Sequence, residues 1–307
     1  MQAVFSATLN QMISFFIIMI IGYIIKKTGV VNDKFDNASS QLQSNVIMPA
    51  LVFQTFYNNF KIDMLKNNAL IFAAGFITIG FSYLVANYLA KLFGGKDGYQ
   101  RNIYAYSFTT ANFGYMGYAV IGAVFGEKVL AAMMVFCIPY SMYVYSIGAA
   151  ILNPNNPKIS IKSLGNPVFY GMILGAILGL LNIPLPKVVL STAGSLGSCM
   201  GPLAMLIAGF VVAKYDLKDL LTFKRVYGAS LIRLVVLPAI IAVIMKLSGV
   251  ETNIILSAMG ATAMPLGLNT VVFPAAYGGD TRTGASMALI SNILGIITIP
   301  IVFAFVV

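Results

Sequence analysis

Ten apolar runs, each about 20 residues long and separated by short polar connections, follow one another along the whole chain. They lie at residues 8–26, 38–57, 68–94, 101–125, 129–152, 163–182, 190–213, 224–248, 254–279 and 281–306. A helix of this length crosses a bilayer, whereas a barrel strand needs only about 9–11 residues. The chain is 59% hydrophobic and 9% charged, too few charges for a water-exposed surface. We predict an all-α polytopic membrane protein with ten transmembrane helices.

The positively charged residues indicate the orientation of the chain. The first run ends in Lys26 and Lys27 and is interpreted as a retained helix with an external N-terminus. Twelve of the nineteen Lys and Arg then fall in connections predicted to be cytoplasmic, and six, including Arg282, in connections predicted to be external. Cytoplasmic connections usually carry the excess. We therefore predict a multi-pass protein of the cell membrane with both termini outside.

Composition argues against several functions. The chain has no His, and Cys137 and Cys199 lie far apart without a CxxC partner, so we predict two small buried residues, no metal or cofactor, and no enzyme. The net charge of +10 is scattered singly between apolar runs, which indicates topology and not nucleic-acid binding. All nine Asp and Glu fall in connections or at helix ends, so no buried carboxylate is predicted to bind sodium or relay protons.

The two halves of the chain match at one fixed offset. Sliding the first half by 153 residues places Pro49 on Pro202 and Gly114 on Gly267. The same offset aligns Thr109 with Thr262, Gly126 with Gly279, and Glu127 with Asp280. Each half holds five predicted helices, an odd number, so the second copy would be inverted in the membrane. We predict two inverted five-helix repeats, residues 1–153 and 154–307, joined through the polar link 153–158.

The fourth and ninth runs contain helix-breaking residues at matching positions of the two halves. The ninth run, with the sequence ATAMPLGLNTVVFP, holds Pro265, Gly267 and Pro274. In the fourth run, Asn112 is followed by four glycines, Gly114, Gly117, Gly122 and Gly126. Unpaired backbone groups are tolerated in a membrane only inside protein or beside a water-filled cavity. We predict two broken helices that meet near the membrane centre; the alternative is that the glycines only allow close helix packing.

Two such breaks would form a binding site for an anion, because the N-terminus of each half-helix carries N–H donors and partial positive charge. The candidate substrate-binding residues are Asn112, Gly114, Gly117, Thr110, Pro265, Gly267, Asn269, Thr270, Arg233 and Tyr143. Of the tyrosines in PYSMYVYS, one or two can face a cavity. Arg233 is the only charge well inside a run. It would attract the anion, stabilise the crossing through carbonyl contacts, or snorkel to the cytoplasmic side.

At these residues the chain resembles the auxin efflux carrier family, which includes plant PIN exporters and bacterial malonate and malate permeases. The segments AMPLGLNTVVFPAAYGGD, ANFGYMGY and MPALVFQTF carry the resemblance, although Ala111 and Ala119 stand where plant members favour proline. It implies a fold like that of sodium/proton antiporters and bile-acid transporters, with helices 4 and 9 broken and crossed. Helices 1, 2, 6 and 7 would form a scaffold, often a homodimer interface, and helices 3–5 and 8–10 a transport domain. The resemblance also implies an organic anion whose carboxylate contacts Asn112.

We therefore predict a secondary transporter for a small organic anion that works by elevator-type alternating access. One alternative is a sodium-coupled bile-acid-type symporter or a proton antiporter, against which the missing intramembrane acids argue. The other is a membrane ligand sensor built on the same fold. The expected partners are the anion, the lipid bilayer and a second copy of the chain.

Overall fold

The computed structural model describes residues 2–32, 34–155 and 165–306. Within these ranges the chain is helical and forms no β-sheet. Its one extended pairing there is a single bridge between Ala111 and Leu266. The second half of the polar link, with Lys158, and the following Lys162 lie outside the described residues.

Helices follow one another along the described chain with short connections. In chain order they are α1 (Gln2–Lys27), α2 (Phe35–Leu42), α3 (Met48–Asn59), α4 (Ile62–Asn67), α5 (Ala69–Phe93), α6 (Gly98–Thr109), α7 (Tyr118–Phe136), α8 (Ile138–Tyr143), α9 (Ala149–Ile151), α10 (Pro167–Leu180), α11 (Lys187–Ser198), α12 (Met200–Val212), α13 (Leu217–Leu221), α14 (Lys224–Leu231), α15 (Leu237–Leu247), α16 (Thr252–Thr262), α17 (Asn269–Tyr277) and α18 (Arg282–Val306). Four π-helical turns connect some of them: Gln43–Ile47, Phe113–Gly117, Val144–Gly148 and Ile232–Val236.

Five helical stretches of the described chain are long and apolar enough to cross a membrane: Val4–Lys27, Ala69–Phe93, Lys187–Val212, Lys224–Leu247 and Arg282–Val306. A sixth candidate bends by 43° between Lys128–Phe136 and Ile138–Ile151, and Phe113–Gly126 and Pro167–Leu180 are shorter apolar helices. Large apolar side chains face outward, such as Ile77 (73% exposed) and Leu84 (71%) on α5. Such a surface suits lipid rather than water. The structure is therefore that of a polytopic membrane protein.

Glycines bring two helix pairs into especially close contact. In α10, a Cβ added at Gly175 would clash with the backbone carbonyl of Phe53 in α3. In α12, a Cβ added at Gly209 would clash with the carbonyl of Met19 in α1. Small residues allow helix backbones to approach each other in membranes, where packing replaces the hydrophobic effect. The first predicted segment therefore packs tightly on the seventh, and the second on the sixth.

Both helices that were predicted to be broken are interrupted. The first broken helix consists of α6, which ends at Thr109, and a second half that begins with the turn Phe113–Gly117. The second broken helix consists of α16, which ends at Thr262, and α17, which begins at Asn269. The second half of the first broken helix ends at Gly126, whose φ of 79° is outside the range that other residues readily adopt.

The two interruptions pair with each other, and residues 110–112 together with 263–268 form what we call the crossover. Ala111 and Leu266 form an antiparallel bridge, and the backbone N–H of Asn112 donates to the carbonyl of Pro265 over 2.9 Å. Backbone groups released by one break are thus bound by the other, which removes much of the cost of burying them.

Pro274 was predicted as a helix breaker but lies inside α17. A proline within a helix withholds the N–H that would bond the carbonyl four residues earlier, in this helix that of Thr270. Gly284 of α18 packs directly on this carbonyl, where any Cβ would clash. The neighbouring helix therefore covers the group that the proline leaves free, and α17 continues to a left-handed residue, Gly278.

Arg282 was predicted on the external side, and this assignment is wrong. Its guanidinium lies 3.4 Å from the carboxylate of Asp219 and over the ring of Phe223 at 5.3 Å. Both residues belong to the connection 214–223, which was predicted to be cytoplasmic. A chain with an external N-terminus is on the cytoplasmic side after nine crossings, so residue 282 belongs there. The Lys and Arg of the connections then divide thirteen to five, which strengthens the predicted bias.

Two further residues differ in burial from what the sequence suggested. Cys137 is buried as predicted, but Cys199 is exposed, at the turn between α11 and α12. Asp36 lies at a helix end as predicted, yet it is only 1% exposed. Its carboxylate is 2.5 Å from the Lys214 ammonium and 4.0 Å from that of Lys26, and these two charges offset the cost of its burial.

Candidate functional site

A small cavity lined mostly by buried residues lies at the crossover. Its lining comes from both broken helices, from the turn Val144–Gly148 and from α12: Tyr106, Ala111, Asn112, Phe113, Gly114, Tyr115, Val144, Tyr145, Met200, Gly267, Leu268 and Asn269. Its volume of about 10 Å³ is close to the space that one water molecule needs. The structure thus brings together four of the predicted site residues, Asn112, Gly114, Gly267 and Asn269.

Asn112 presents a buried side-chain amide that has no protein partner. The residue is 2% exposed, and neither Nδ2 nor Oδ1 has a hydrogen bond within the described part of the chain. Its backbone, in contrast, is held firmly: the N–H donates to Pro265, and the carbonyl accepts from Met116 (3.1 Å) and Gly117 (3.2 Å). A buried amide without partners costs about 1–3 kcal/mol. The backbone of Asn112 is therefore fixed, while its side-chain amide can still donate and accept hydrogen bonds at the cavity.

Asn269 has the opposite character, because its amide is fully engaged by two tyrosines. Its Nδ2 donates to the Tyr106 hydroxyl over 2.6 Å, and its Oδ1 accepts from the Tyr115 hydroxyl over 2.6 Å. Tyr106 and Tyr115 stand on either side of the break in the first broken helix, and Asn269 begins the second half of the other. Asn269 therefore ties the two broken helices together, and the two asparagines are not equivalent.

The second halves of both broken helices begin beside this cavity, at Phe113 and Asn269. The first N–H groups of a helix have no acceptor within it, and their dipoles add to a partial positive charge. In α17 the break itself supplies one acceptor, since the N–H of Thr270 donates to the carbonyl of Gly267 over 3.0 Å. These two N-termini suit a negatively charged group, whereas the C-terminal ends of α6 and α16, at the same crossover, carry partial negative charge.

The two predicted threonines bond to the backbone of the crossover. The Thr110 hydroxyl donates to the carbonyl of Tyr106 (3.3 Å), and the Thr270 hydroxyl donates to that of Gly267 (2.9 Å). Each carbonyl also accepts from the backbone N–H of the same threonine, at 2.9 Å for Tyr106 and 3.0 Å for Gly267, so the hydroxyls add a second bond to groups beside the breaks. Neither threonine lines the cavity.

Gly117 and Pro265 also lie at the crossover without lining the cavity. A Cβ at Gly117 would stand 2.5 Å from the carbonyl oxygen of Gly260 in α16, so this glycine allows two half-helices to touch. Pro265 contributes the carbonyl that accepts from Asn112. For Gly117, the structure shows the alternative role considered for the glycines, which is to allow close helix packing.

Arg233 is fully buried and reaches the end of α6. It is 0% exposed, and its Nη1 donates to the carbonyl of Phe108 over 3.4 Å. Phe108 belongs to the last turn of α6, where carbonyls lack helical donors and carry partial negative charge. Of the three roles that the sequence left open, the structure shows the carbonyl contact at the crossing. Snorkelling is excluded, because the guanidinium does not reach the surface.

Tyr143 packs behind the cavity rather than against it. Its ring stacks on Tyr106 with centroids 6.4 Å apart, and the ring of Tyr83 meets it edge-on at 5.9 Å. Tyr145, two residues further along, lines the cavity instead. The alternation of these tyrosines indicated that only one or two would face inward, but it did not indicate which.

Sequence reasoning missed Tyr106, Tyr115 and Met200 as residues of the site. A local signal existed for the first, because Tyr106 precedes Thr110 by one helical turn and so shares its face. Tyr115 is part of the ANFGYMGY segment already singled out. Nothing local marked Met200, which reaches the cavity only because α12 packs beside the turn Phe113–Gly117.

Comparison with known proteins assigns the chain to a family. A sequence model of the family described as membrane transport protein matches residues 7–163 and 155–303. The chain belongs to this family. It is the auxin efflux carrier family that the sequence resembles, so that resemblance is confirmed. As a member of the membrane transport protein family, the chain is a multi-pass membrane transporter, and its family is not one of enzymes.

Relatives in this family match nearly the whole chain. The uncharacterized transporter MJ1031 of Methanocaldococcus jannaschii is 25% identical over 301 residues, covering 92% of this chain and 94% of its own. The uncharacterized transporter YfdV of Escherichia coli K12 is 20% identical over 310 residues, covering 95% and 96%. An uncharacterized transporter of Methanothermobacter thermautotrophicus is 22% identical over 306 residues, covering 97% and 98%.

Proposed function

We propose that the protein carries a small organic anion across the cell membrane, with the carboxylate of the anion bound at the crossover. The observation that carries this proposal is the side-chain amide of Asn112, buried and unpaired at a cavity between two broken helices. An amide N–H₂ offers two donors to a carboxylate. The ends of two half-helices add partial positive charge at the same place.

The charges around the crossover favour an anion over a cation. Arg233 places a guanidinium at the carbonyl of Phe108, beside the first break. Among the described residues, no Asp or Glu lines the cavity. A sodium-coupled or proton-coupled mechanism usually relies on a buried carboxylate, so the same lining counts against a symporter of the bile-acid type.

Several features of the structure support two inverted five-helix repeats. The breaks at 110–112 and 263–268 occupy equivalent positions at the 153-residue offset, and each second half ends at a left-handed glycine, Gly126 and Gly278. Asn112 and Pro265 are direct equivalents at this offset, and they hydrogen-bond to each other. Equivalent residues meet in this way when they lie near the axis that relates two repeats. Each repeat would contribute five of ten membrane crossings.

The small volume of the cavity supports alternating access. A volume of about 10 Å³ leaves room for about one water molecule, so a carboxylate can bind only after the surrounding helices move apart. The tight pairs α1 with α12 and α3 with α10, together with the packing of α3 on α11, join segments 1, 2, 6 and 7 into one unit. We propose that this unit is the scaffold, and that segments 3–5 and 8–10 move against it as an elevator.

A second copy of the chain is the proposed partner of the scaffold. An apolar groove of about 500 Å³ runs along α3, α10 and α11, lined by residues that include Phe53, Leu174, Val188 and Val189. Val188 is 68% exposed and Leu174 is 52% exposed. A groove of this kind on the scaffold suits the homodimer interface that the family resemblance implies.

Counterflow of labelled carboxylates into proteoliposomes tests the function, with Asn112→Ala and Asn269→Ala as a matched pair. Asn112→Ala should raise the Kd of the transported anion more than about tenfold without lowering the melting temperature, because its side chain has no protein partner. Asn269→Ala should lower the melting temperature, because it removes one hydrogen bond from each of two buried tyrosine hydroxyls, at about 0.5–1.5 kcal/mol each.

A panel of mono- and dicarboxylates, assayed with imposed sodium and pH gradients, identifies the substrate and its coupling. Unchanged anion affinity in the Asn112 variant would remove its proposed role. Binding of an anion with a conformational change, but without flux, would instead indicate a membrane ligand sensor.

A further inference from the structure

The second segment carries a polar face that is buried although several of its polar atoms lack partners. Ser40, Gln43 and Ser44 lie on one side of α2 and the π-helical turn that follows it, and each is at most 2% exposed. The hydroxyls of both serines and Oε1 of Gln43 have no hydrogen bond within the described ranges. Asp36 lies one turn earlier on the same side. These four residues form what we call the helix-2 polar face.

One end of the helix-2 polar face adjoins the crossover cavity. Nε2 of Gln43 donates to the carbonyl of Met200 over 3.3 Å, and Met200 lines that cavity. The side chain of Gln43 also interacts with Tyr115, whose hydroxyl donates to Asn269. A continuous set of polar groups therefore runs from the second segment into the proposed anion site.

The other end lies among positively charged groups. Asp36 is paired with Lys214 at 2.5 Å and with Lys26 at 4.0 Å. One carboxylate between two ammonium groups leaves a local charge of about +1, on the side that the sequence predicts to be cytoplasmic. A mouth with this charge attracts anions rather than repelling them.

Packing alone does not account for these polar side chains. A buried polar group without a partner costs about 1–3 kcal/mol, and three such residues follow one another in this segment. The residues 153 positions later, on α11, are all apolar or small: Val189, Ala193, Leu196 and Gly197. The equivalent place in the other half of the chain is thus built without polar groups. The difference indicates that the helix-2 polar face meets water in another state of the protein.

The amide of Asn37 binds the second segment to the end of α17, next to this face. The second segment packs against α12 and α17, and Nδ2 of Asn37 donates to the carbonyl of Ala275 over 2.6 Å. Ala275 lies in the last turn of α17, where carbonyls lack helical donors. Because α17 belongs to the proposed moving domain and α2 to the scaffold, movement of one against the other would break this bond.

We propose that the helix-2 polar face is one wall of the cytoplasmic access path to the crossover, with α17 as the opposite wall. The bond between Asn37 and Ala275 closes the path in this structure. When α17 moves away, water and the polar groups of the anion take up the free capacity of Ser40, Gln43 and Ser44. This inference rests on the proposed transport function and adds to it the route by which the anion reaches Asn112 from the cytoplasm.

Thiol accessibility in the full-length protein tests the path. Cys137 and Cys199 are first replaced by Ala and Ser, and Ser40→Cys or Ser44→Cys is introduced singly. A membrane-impermeant, negatively charged methanethiosulfonate is added to inside-out or right-side-out vesicles. Both thiols should react at least about tenfold faster from the cytoplasmic side, because a thiolate forms readily only where water reaches it.

Two further variants sharpen this test. Val46→Cys is the control, since Val46 lies in the same π-helical turn but on the outward face, 42% exposed and so directed to lipid; it should stay unreactive from both sides. Adding Asn37→Ala to Ser44→Cys should raise the cytoplasmic rate, because the closing bond is lost.

The path is overturned if variants that still transport show no cytoplasmic reaction at residues 40 and 44, or react only from outside. In that case the proposed function stands. Normal labelling in a protein that shows no anion flux would instead count against transport itself. Monodisperse elution from a size-exclusion column identifies which variants are folded. If Ser44→Cys does not fold, Ser40→Cys, one turn away, tests the path in the same way.

Discussion

The two asparagine side chains at the crossover differ, because one is bonded to protein groups and the other is free to bind a ligand. The amide of Asn269 hydrogen-bonds to Tyr106 and Tyr115, and the hydroxyl of Thr110 hydrogen-bonds to a backbone carbonyl. Asn112 has a bonded backbone but an unbonded side chain. This contrast singles out one amide among several polar side chains that look alike in the sequence.

Arg233 is a structural cation of the crossover, and its removal should affect both stability and transport. Arg233→Gln leaves the buried Phe108 carbonyl without a charged donor, which should cost about 1–3 kcal/mol of stability and slow anion uptake. The melting temperature and the initial uptake rate measure these effects. Arg233→Lys keeps the charge and should retain more of both.

Arg282→Gln serves as the control for charge loss alone. The Arg282 side chain is 47% exposed and pairs with an exposed carboxylate, an interaction worth about 0–1 kcal/mol, so this variant should behave like the wild type. Wild-type melting and uptake in Arg233→Gln would show that the buried contact has no role.

At the scale of elements, the four π-helical turns of the described residues lie at or close to the crossover. The turns Phe113–Gly117 and Val144–Gly148 supply residues that line the cavity. The turn Gln43–Ile47 carries Gln43 next to it, and Ile232–Val236 carries Arg233. Single π-helical turns inside α-helices often occur at functional sites. The irregular elements therefore mark the same region as the unpaired amide does.

The close approach of α7 and α16 depends on Gly117, which yields a prediction at the scale of this helix pair. Gly117→Ala would place a Cβ 2.5 Å from the Gly260 carbonyl, so the helices must separate, at about 1–3 kcal/mol for overpacking. We expect a lower melting temperature and reduced flux.

Gly80→Ala is the matched control in the same assays. Gly80 lies inside α5 with nothing within 4 Å of an added Cβ, so alanine should be neutral or stabilising by about 0.5–1 kcal/mol. If both alanine variants melt alike, the contact between Gly117 and Gly260 is not tight in solution.

At the scale of the whole molecule, the two halves share a plan but differ in polarity. The breaks match at the 153-residue offset, whereas the helix-2 polar face has only apolar or small equivalents on α11. A transporter that meets two different compartments has no need of identical access routes. This difference is consistent with a substrate route on the cytoplasmic side that is lined by more polar groups and is positively charged at its opening.

The orientation of the molecule can be tested by side-specific labelling in the cysteine-free background. Lys96→Cys and Arg282→Cys should react with an impermeant reagent only from the cytoplasmic side, and Ser248→Cys only from outside, because the positive residues concentrate on the first side. A reversed pattern would place both termini inside. A split between Lys96 and Arg282 would contradict an even number of crossings between them.

Much of the fold was predictable because it depends on composition and on local bonds. Run lengths predicted the long membrane helices, and the breaker residues predicted interruptions next to Asn112 and at Pro265. Pro274 was not predictable in the same way, since its effect depended on Gly284 of another helix. Arg282 was assigned to the wrong side although the number of crossings already placed it correctly.

By itself, the sequence determined that the protein resides in a membrane, which family it belongs to, and where its helices break, because lipid leaves few ways to bury a backbone. Only the tertiary structure decided which polar side chains hydrogen-bond to other protein groups. Asn269 meets its tyrosines and Arg233 meets the Phe108 carbonyl across many residues of sequence. Such pairs form when packing brings distant helices together, so the free amide of Asn112 and the polar face of the second helix emerge only in three dimensions.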